Sequence, residues 1–188
     1  MMSVPPTLPA RRLFLRRSAQ FAVAGVAAPL IARPALASRP DARSLAMDHT
    51  HTGESLTLVY AMGEQYVTDA LRKLNRFLRD HYSGDIGVID PQLFDLLHRV
   101  KTELGARQPF QVISGYRCPT TNKALRTARG GGVATRSLHM DGKAIDIRLP
   151  GVPLGELRDA AMSLRAGGVG YYPREQFIHV DTGGVRAW

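Results

Sequence analysis

Apolar residues at three- and four-residue spacing mark the first clear helix. Val67, Leu71, Leu74 and Leu78 recur along Tyr66–His81, with Arg72, Lys73, Arg76 and Arg79 on the wet side, which predicts an amphipathic helix. Asp90-Pro91 opens a second helix through Leu104, with Asp90 as N-cap, Pro91 at the first helical position and Gly105 as the stop. Residues 120–132 read as a short helix running into three glycines, Gly130 to Gly132, and Val152–Leu164 as a further helix closed by Gly167-Gly168. Strands are predicted where the period changes to two or the chain is briefly all apolar: 55–61, 110–114, 143–149, 169–172 and 177–181. Helices come first and antiparallel strands later. This order predicts a single α+β domain, with a small, mainly antiparallel sheet, helices on one side and an open face on the other.

The N-terminus stands apart from this pattern. Arg11-Arg12 and Arg16-Arg17 bracket Leu13-Phe14-Leu15, an apolar run from Ser18 to Ile31 follows, and Ala35-Leu36-Ala37 ends the segment. These are the parts of an export signal, and the doubled arginine points to the twin-arginine route. Residues 1–37 are therefore expected to be cleaved. The run is shorter than the ~20 apolar residues of a membrane span and is interrupted by Gly25 and Pro29, so no stable membrane span is expected after cleavage. Residues 38–54, mixed and turn-rich, read as a flexible lead-in, and 55–188 as the folded domain.

Removing the signal changes the charge. It holds five arginines and no acid, so a formal net charge of +9 falls to +4 for residues 38–188. That excess does not argue for nucleic acid. It suits work beside an anionic polymer. Cys118 is the single cysteine and has no partner for an internal disulfide.

Four of the six histidines have bland settings: His49 and His51 in the lead-in, expected to be solvated, and His81 and His98 at or near helix ends. His139 and His179 differ. In Lys143–Leu149, Ala144, Asp146 and Arg148 share one strand face while Ile145, Ile147 and Leu149 take the other. A carboxylate in mid-strand is costly unless it is paired or binds metal. In Phe177–Asp181, Ile178 and Val180 fill one side and leave His179 and Asp181 on the other. Two imidazoles and one carboxylate make a three-ligand zinc set with a fourth position open for water.

The segment Ser137-Leu138-His139-Met140-Asp141-Gly142-Lys143-Ala144-Ile145-Asp146 has the form Ser-x-His-x-x-Gly-x-Ala-x-Asp. It resembles the signature of the zinc peptidase superfamily that contains D-Ala-D-Ala carboxypeptidases and dipeptidases, phage L-alanyl-D-glutamate endopeptidases and the Hedgehog signalling domain. With Ser114–Arg117 upstream, Phe177–Asp181 downstream and the twin-arginine signal, the chain is most similar to the murein endopeptidase K branch. The resemblance spans roughly residues 55–188. It implies one zinc per chain on His139, Asp146 and His179, periplasmic hydrolysis of peptidoglycan peptides, Ser137 as a residue orienting ligands or loop backbone, and Arg117 as the cation that binds a substrate carboxylate or steadies the oxyanion.

Several members of that superfamily place an acidic general base three residues before the last zinc histidine. Here that position is Gln176, which cannot accept a proton, and the adjacent Glu175 reads as a solvated turn residue. Asp181 is the expected base; the alternative is that it only hydrogen-bonds a ligand histidine. Cys118, beside Arg117, is not expected to ligate, since a fourth protein ligand would close the site. Endopeptidase cleavage of cross-links is the expected activity. The alternatives are a D,D-carboxypeptidase or dipeptidase on stem peptides, and a zinc-stabilised binding module without turnover. Oligomeric state is not legible.

Overall fold

In the computed structural model the described residues are 41–128 and 133–188. The expected export signal, residues 1–37, and the glycines Gly130 to Gly132 lie outside them. The chain alternates: β1 (Ala42–His49), β2 (Ser55–Met62), β3 (Gln65–Tyr66), α1 (Thr68–Phe77), α2 (Pro91–Glu103), β4 (Phe110–Ser114), α3 (Pro119–Ala128), β5 (Ala144–Arg148), α4 (Leu154–Ser163), β6 (Gly168–Tyr172), β7 (Phe177–Asp181) and β8 (Arg186–Ala187). All strands join one open sheet in the order β3-β2-β1-β4-β5-β7-β6-β8. Only the β1–β4 and β6–β8 pairs are parallel. The α+β class and the mainly antiparallel sheet are as expected, although the sheet has eight strands and is wider than the term small suggests.

The lead-in is where the structure departs from expectation. Residues 42–49 form β1 and lie inside the sheet between β2 and β4. Leu45, Met47 and His49 alternate into the core, and His49 is only 2% exposed, not solvated. Its ring stands edge-on to Phe77 at 5.8 Å. Ala, Ser and Asp at the intervening positions weaken the apolar signal, so the strand is stabilised by its two neighbours more than by its own composition.

Helix α1 is shorter than its apolar stripe. It stops at Phe77 because Asp80 turns the chain, its carboxylate accepting the Tyr82 N–H at 2.9 Å. Helix α2 begins as its residues dictate, with Asp90 Oδ1 accepting the Gln92 N–H at 3.0 Å and Pro91 following. Helix α1 packs on β2, α2 on β1 and α4, and α4 on β6 and β7. Ile145, Ile147, Ile178 and Val180 face this helical layer within the core. By strand alternation Asp146, His179 and Asp181 take the opposite face, and the register pairs Asp146 with His179 across β5 and β7. Among the described residues no helix is long and apolar enough to cross a membrane.

If β1 is part of the core, Leu45→Ala and Met47→Ala should each lower stability by about 2–5 kcal/mol in urea unfolding. A flexible lead-in would leave the transition unmoved.

Candidate metal centre

Three side chains converge on the open face. His139, in the turn before β5, brings Nε2 to 3.3 Å from Asp146 Oδ1 and 3.2 Å from His179 Nδ1. His179 Nδ1 lies 2.9 Å from the same carboxylate oxygen. A tetrahedral ion with bonds of about 2.0–2.1 Å separates its ligands by roughly 3.3 Å, so this triangle fits one zinc-sized ion with only small adjustment. All three residues are buried.

What faces away from the triangle decides which nitrogen is free. His139 Nδ1–H donates to the Gly115 carbonyl at 2.7 Å, leaving the Nε2 lone pair for the metal side. His179 is tied the other way round: Nε2–H donates to Asp181 Oδ2 at 3.1 Å, leaving Nδ1 inward. The motif glycine makes the His139 turn possible. Gly142 has φ +66°, and a side chain there would press on the Val88 carbonyl.

Asp181 is saturated. It is 0% exposed, and Oδ1 accepts N–H groups from Gly168 (3.0 Å), Gly183 (2.8 Å) and Arg186 Nη1 (3.1 Å). Oδ2 accepts Arg186 Nη2 at 2.7 Å as well as the His179 N–H. Burial alone would raise its pKa, but His179, Arg186 and the two backbone donors outweigh it and hold the group ionised. Asp146 is likewise pushed up by burial and pulled down further by His139 and His179. For His179 burial lowers the pKa, yet the two carboxylates prevail and push it up to about 9.

Arg117 follows a turn built for it. The β4 ladder carries a bulge between Val112 and Ser114, which brings Ser114 opposite Asp146 on the site face. Asp80 Oδ2 accepts the Cys118 N–H at 2.8 Å and pins the next residue. The Arg117 guanidinium then reaches Ser114 Oγ (3.4 Å) and Asn122 Oδ1 (3.5 Å), with Nη2 3.8 Å from Asp146 Oδ2. Ser137 is buried on the cleft wall, and its carbonyl accepts the Met140 N–H at 2.9 Å within the motif turn. Cys118 contacts Thr121 at the start of α3 and takes no part in the cluster. Glu175 and Gln176 are exposed, Gln176 at φ +58° with its amide on the Pro173 carbonyl, and neither lines the metal cleft.

The cleft over the triangle measures about 350 Å³ and continues into a recess of about 120 Å³ that shares Arg117, Val133, Asp146 and Phe177. One wall comes from the C-terminal tail. Strand β8 pairs with β6, and the Trp188 indole sits 5.3 Å from His179 and donates to Tyr172 Oη at 2.7 Å. A Cβ on Gly170 would stand 2.7 Å from that indole, so a glycine opposite His179 lets the tryptophan close over the histidine. Arg186, Trp188, Asp80 and the Gly115 carbonyl are absent from the sequence reading. No periodic signal pointed to the tail, since Arg186 and Trp188 fall out of phase with the period-two spacing of His179 and Asp181.

An open α+β sheet that gathers two imidazoles and one carboxylate within 4.8 Å of one another carries a cluster compatible with a mononuclear metal site, the donor set of a metallohydrolase. The family model for peptidoglycan L,D-endopeptidase MepK matches residues 37–188, and the chain belongs to this family of zinc metallopeptidases. The curated relatives include peptidoglycan L,D-endopeptidase MepK of Escherichia coli (strain K12), 48% identical over 171 residues that cover 89% of this chain and 93% of the relative. A probable peptidoglycan L,D-endopeptidase MepK of Haemophilus influenzae is 43% identical over 155 residues, 82% of this chain and 83% of its own length.

Metal entry at Nδ1 must displace the His179 proton. Apparent zinc affinity should therefore rise with pH up to about 9 and level off above it, with proton release at pH 7 in calorimetry across buffers of different ionisation enthalpy. Affinity independent of pH between 6 and 9 would contradict the assignment.

Proposed function

We propose that the chain is a periplasmic, zinc-dependent endopeptidase that cuts L,D peptide bonds in peptidoglycan cross-links. The observation that carries this reading is the converging triangle of His139 Nε2, His179 Nδ1 and Asp146 Oδ1 in a chain of the MepK family. The cleft supports an endopeptidase over an enzyme that trims chain ends. Two adjoining spaces, the larger lined by Trp188 and the smaller by His81, both reach Asp146, which favours peptide lying across the triangle over a chain end held in one pocket. The arginine pairs and apolar run within residues 11–31 support export by the twin-arginine route.

One zinc per chain would be held by His139, Asp146 and His179. Bound there, it supplies Lewis acidity and lowers the pKa of water toward about 7. The protein's own groups do the remaining work. The Gly115 carbonyl and Asp181 fix the two imidazoles in the required tautomers. Arg117 presents a fixed cation beside Asp146, where negative charge develops on an attacked carbonyl. Ser137 holds the turn that carries His139. Trp188, Tyr172 and Phe177 wall the cleft and restrict water. Of the two roles open to Asp181, full burial and five hydrogen bonds support that of holding His179 over that of accepting a proton from water.

Two measurements test this. Zinc-loaded protein, residues 38–188, should convert cross-linked muropeptide dimers to monomers in mass-spectrometric digests, and His139→Ala or a chelator should abolish it. Loss of terminal residues alone, with dimers intact, would overturn the endopeptidase reading. Asp181→Asn should weaken zinc binding about 10- to 100-fold while excess zinc restores much of the turnover. Unchanged affinity with turnover lost at every zinc concentration would instead make Asp181 the base.

A further inference from the structure

Three arginines line the metal cleft, and they are not equivalent. Arg186 is committed to Asp181 through two hydrogen bonds. Arg117 is held by Ser114 and Asn122 and faces Asp146. Arg136 stands exposed on the wall, three residues before His139, without a hydrogen bond or ion pair to any described residue. Its place is nonetheless defined, because Ser137 beside it is buried and anchors the motif turn.

The charge of the cleft leaves Arg136 unmatched. Asp146 is turned to the two histidines and Asp181 to His179 and Arg186, so neither carboxylate is free to pair with it. A divalent ion on the triangle adds further positive charge. Close by, Tyr172 and Phe177 stack at 4.7 Å and Trp188 lies beside them, giving an apolar wall that strengthens an ion pair formed against it. The recess on the other side is different. His51, His81 and Tyr82 line it, Arg117 is its only arginine among the described residues, and burial together with His51 lowers the pKa of His81. The cleft is thus cationic at one end and weakly charged at the other.

We propose that Arg136 is a carboxylate subsite: it receives a free carboxylate of the substrate peptide close to the scissile bond and so sets which way the peptide lies across the metal. This rests on the peptidase reading above. A planar guanidinium with no partner among the described residues is suited to bidentate capture of a carboxylate, and the histidine-lined end takes the uncharged part of the peptide.

The test uses two cross-linked peptides identical except that the residue supplying the scissile nitrogen carries a free carboxylate in one and a carboxamide in the other. Zinc-loaded wild type should prefer the acid. Arg136→Gln should lower kcat/KM for the acid about 10- to 100-fold and leave the amide nearly unchanged, with Arg136→Lys in between. Trp188 is the only tryptophan and lines the same cleft, so its stopped-flow fluorescence reads binding before hydrolysis. The same acid-over-amide preference, lost in Arg136→Gln, should appear in that signal. Equal losses for both peptides, or an unchanged preference in the variant, would overturn the subsite. If the wild type cleaves neither peptide, the peptidase reading falls, and the fluorescence preference alone still decides whether Arg136 reads the carboxylate.

Discussion

Each metal-facing imidazole is held by a hydrogen bond on its far side, and the rest of the site depends on those two bonds. The Gly115 carbonyl takes the Nδ1–H of His139 and Asp181 takes the Nε2–H of His179, so the opposite nitrogens meet Asp146 within 3.3 Å. The two histidines use different ring nitrogens, because one approaches from a turn and the other from a strand. Without its carboxylate, His179 would be free to rotate or change tautomer, and the triangle would lose a corner. On the proposed reading, the protein commits a fully buried, five-bonded aspartate to orienting one ring.

That commitment reaches into the tail. Arg186 neutralises Asp181, and Trp188 covers His179 in the space left by Gly170. Arg186 and Trp188 consequently line the cleft that holds the three clustered side chains. At the other end of the chain, β1 occupies the middle of the sheet beside β4, whose bulge leads to the turn carrying Gly115 and Arg117. Both chain ends of the folded unit thus support the same face.

The parts of this arrangement that were legible in the sequence are those with a local signal. Period-two alternation placed Asp146 and His179 on one face of β5 and β7, and the motif around Gly142 marked the turn that delivers His139. β1 escaped because Ala42–His49 has too few large apolar residues to announce a strand, and its stability comes from neighbours distant in the chain. The role of Asp181 could not be read from alternation, which gives a face but not a partner; Arg186 and the backbone N–H groups of Gly168 and Gly183 settle its surroundings. The Gly115 carbonyl is a backbone group and has no sequence signature. Charge along the sequence does not separate the three arginines of the cleft, of which Arg117 and Arg186 have side-chain partners and Arg136 has none among the described residues.

Zinc K-edge X-ray absorption on the zinc-loaded protein, residues 38–188, tests the central claim most directly. The account predicts one zinc with two imidazoles and light oxygen ligands at about 2.0–2.1 Å and no sulfur at about 2.3 Å, with the imidazole signal halved in His179→Ala. A sulfur shell from Cys118, or an imidazole count unaffected by loss of His179, would contradict it.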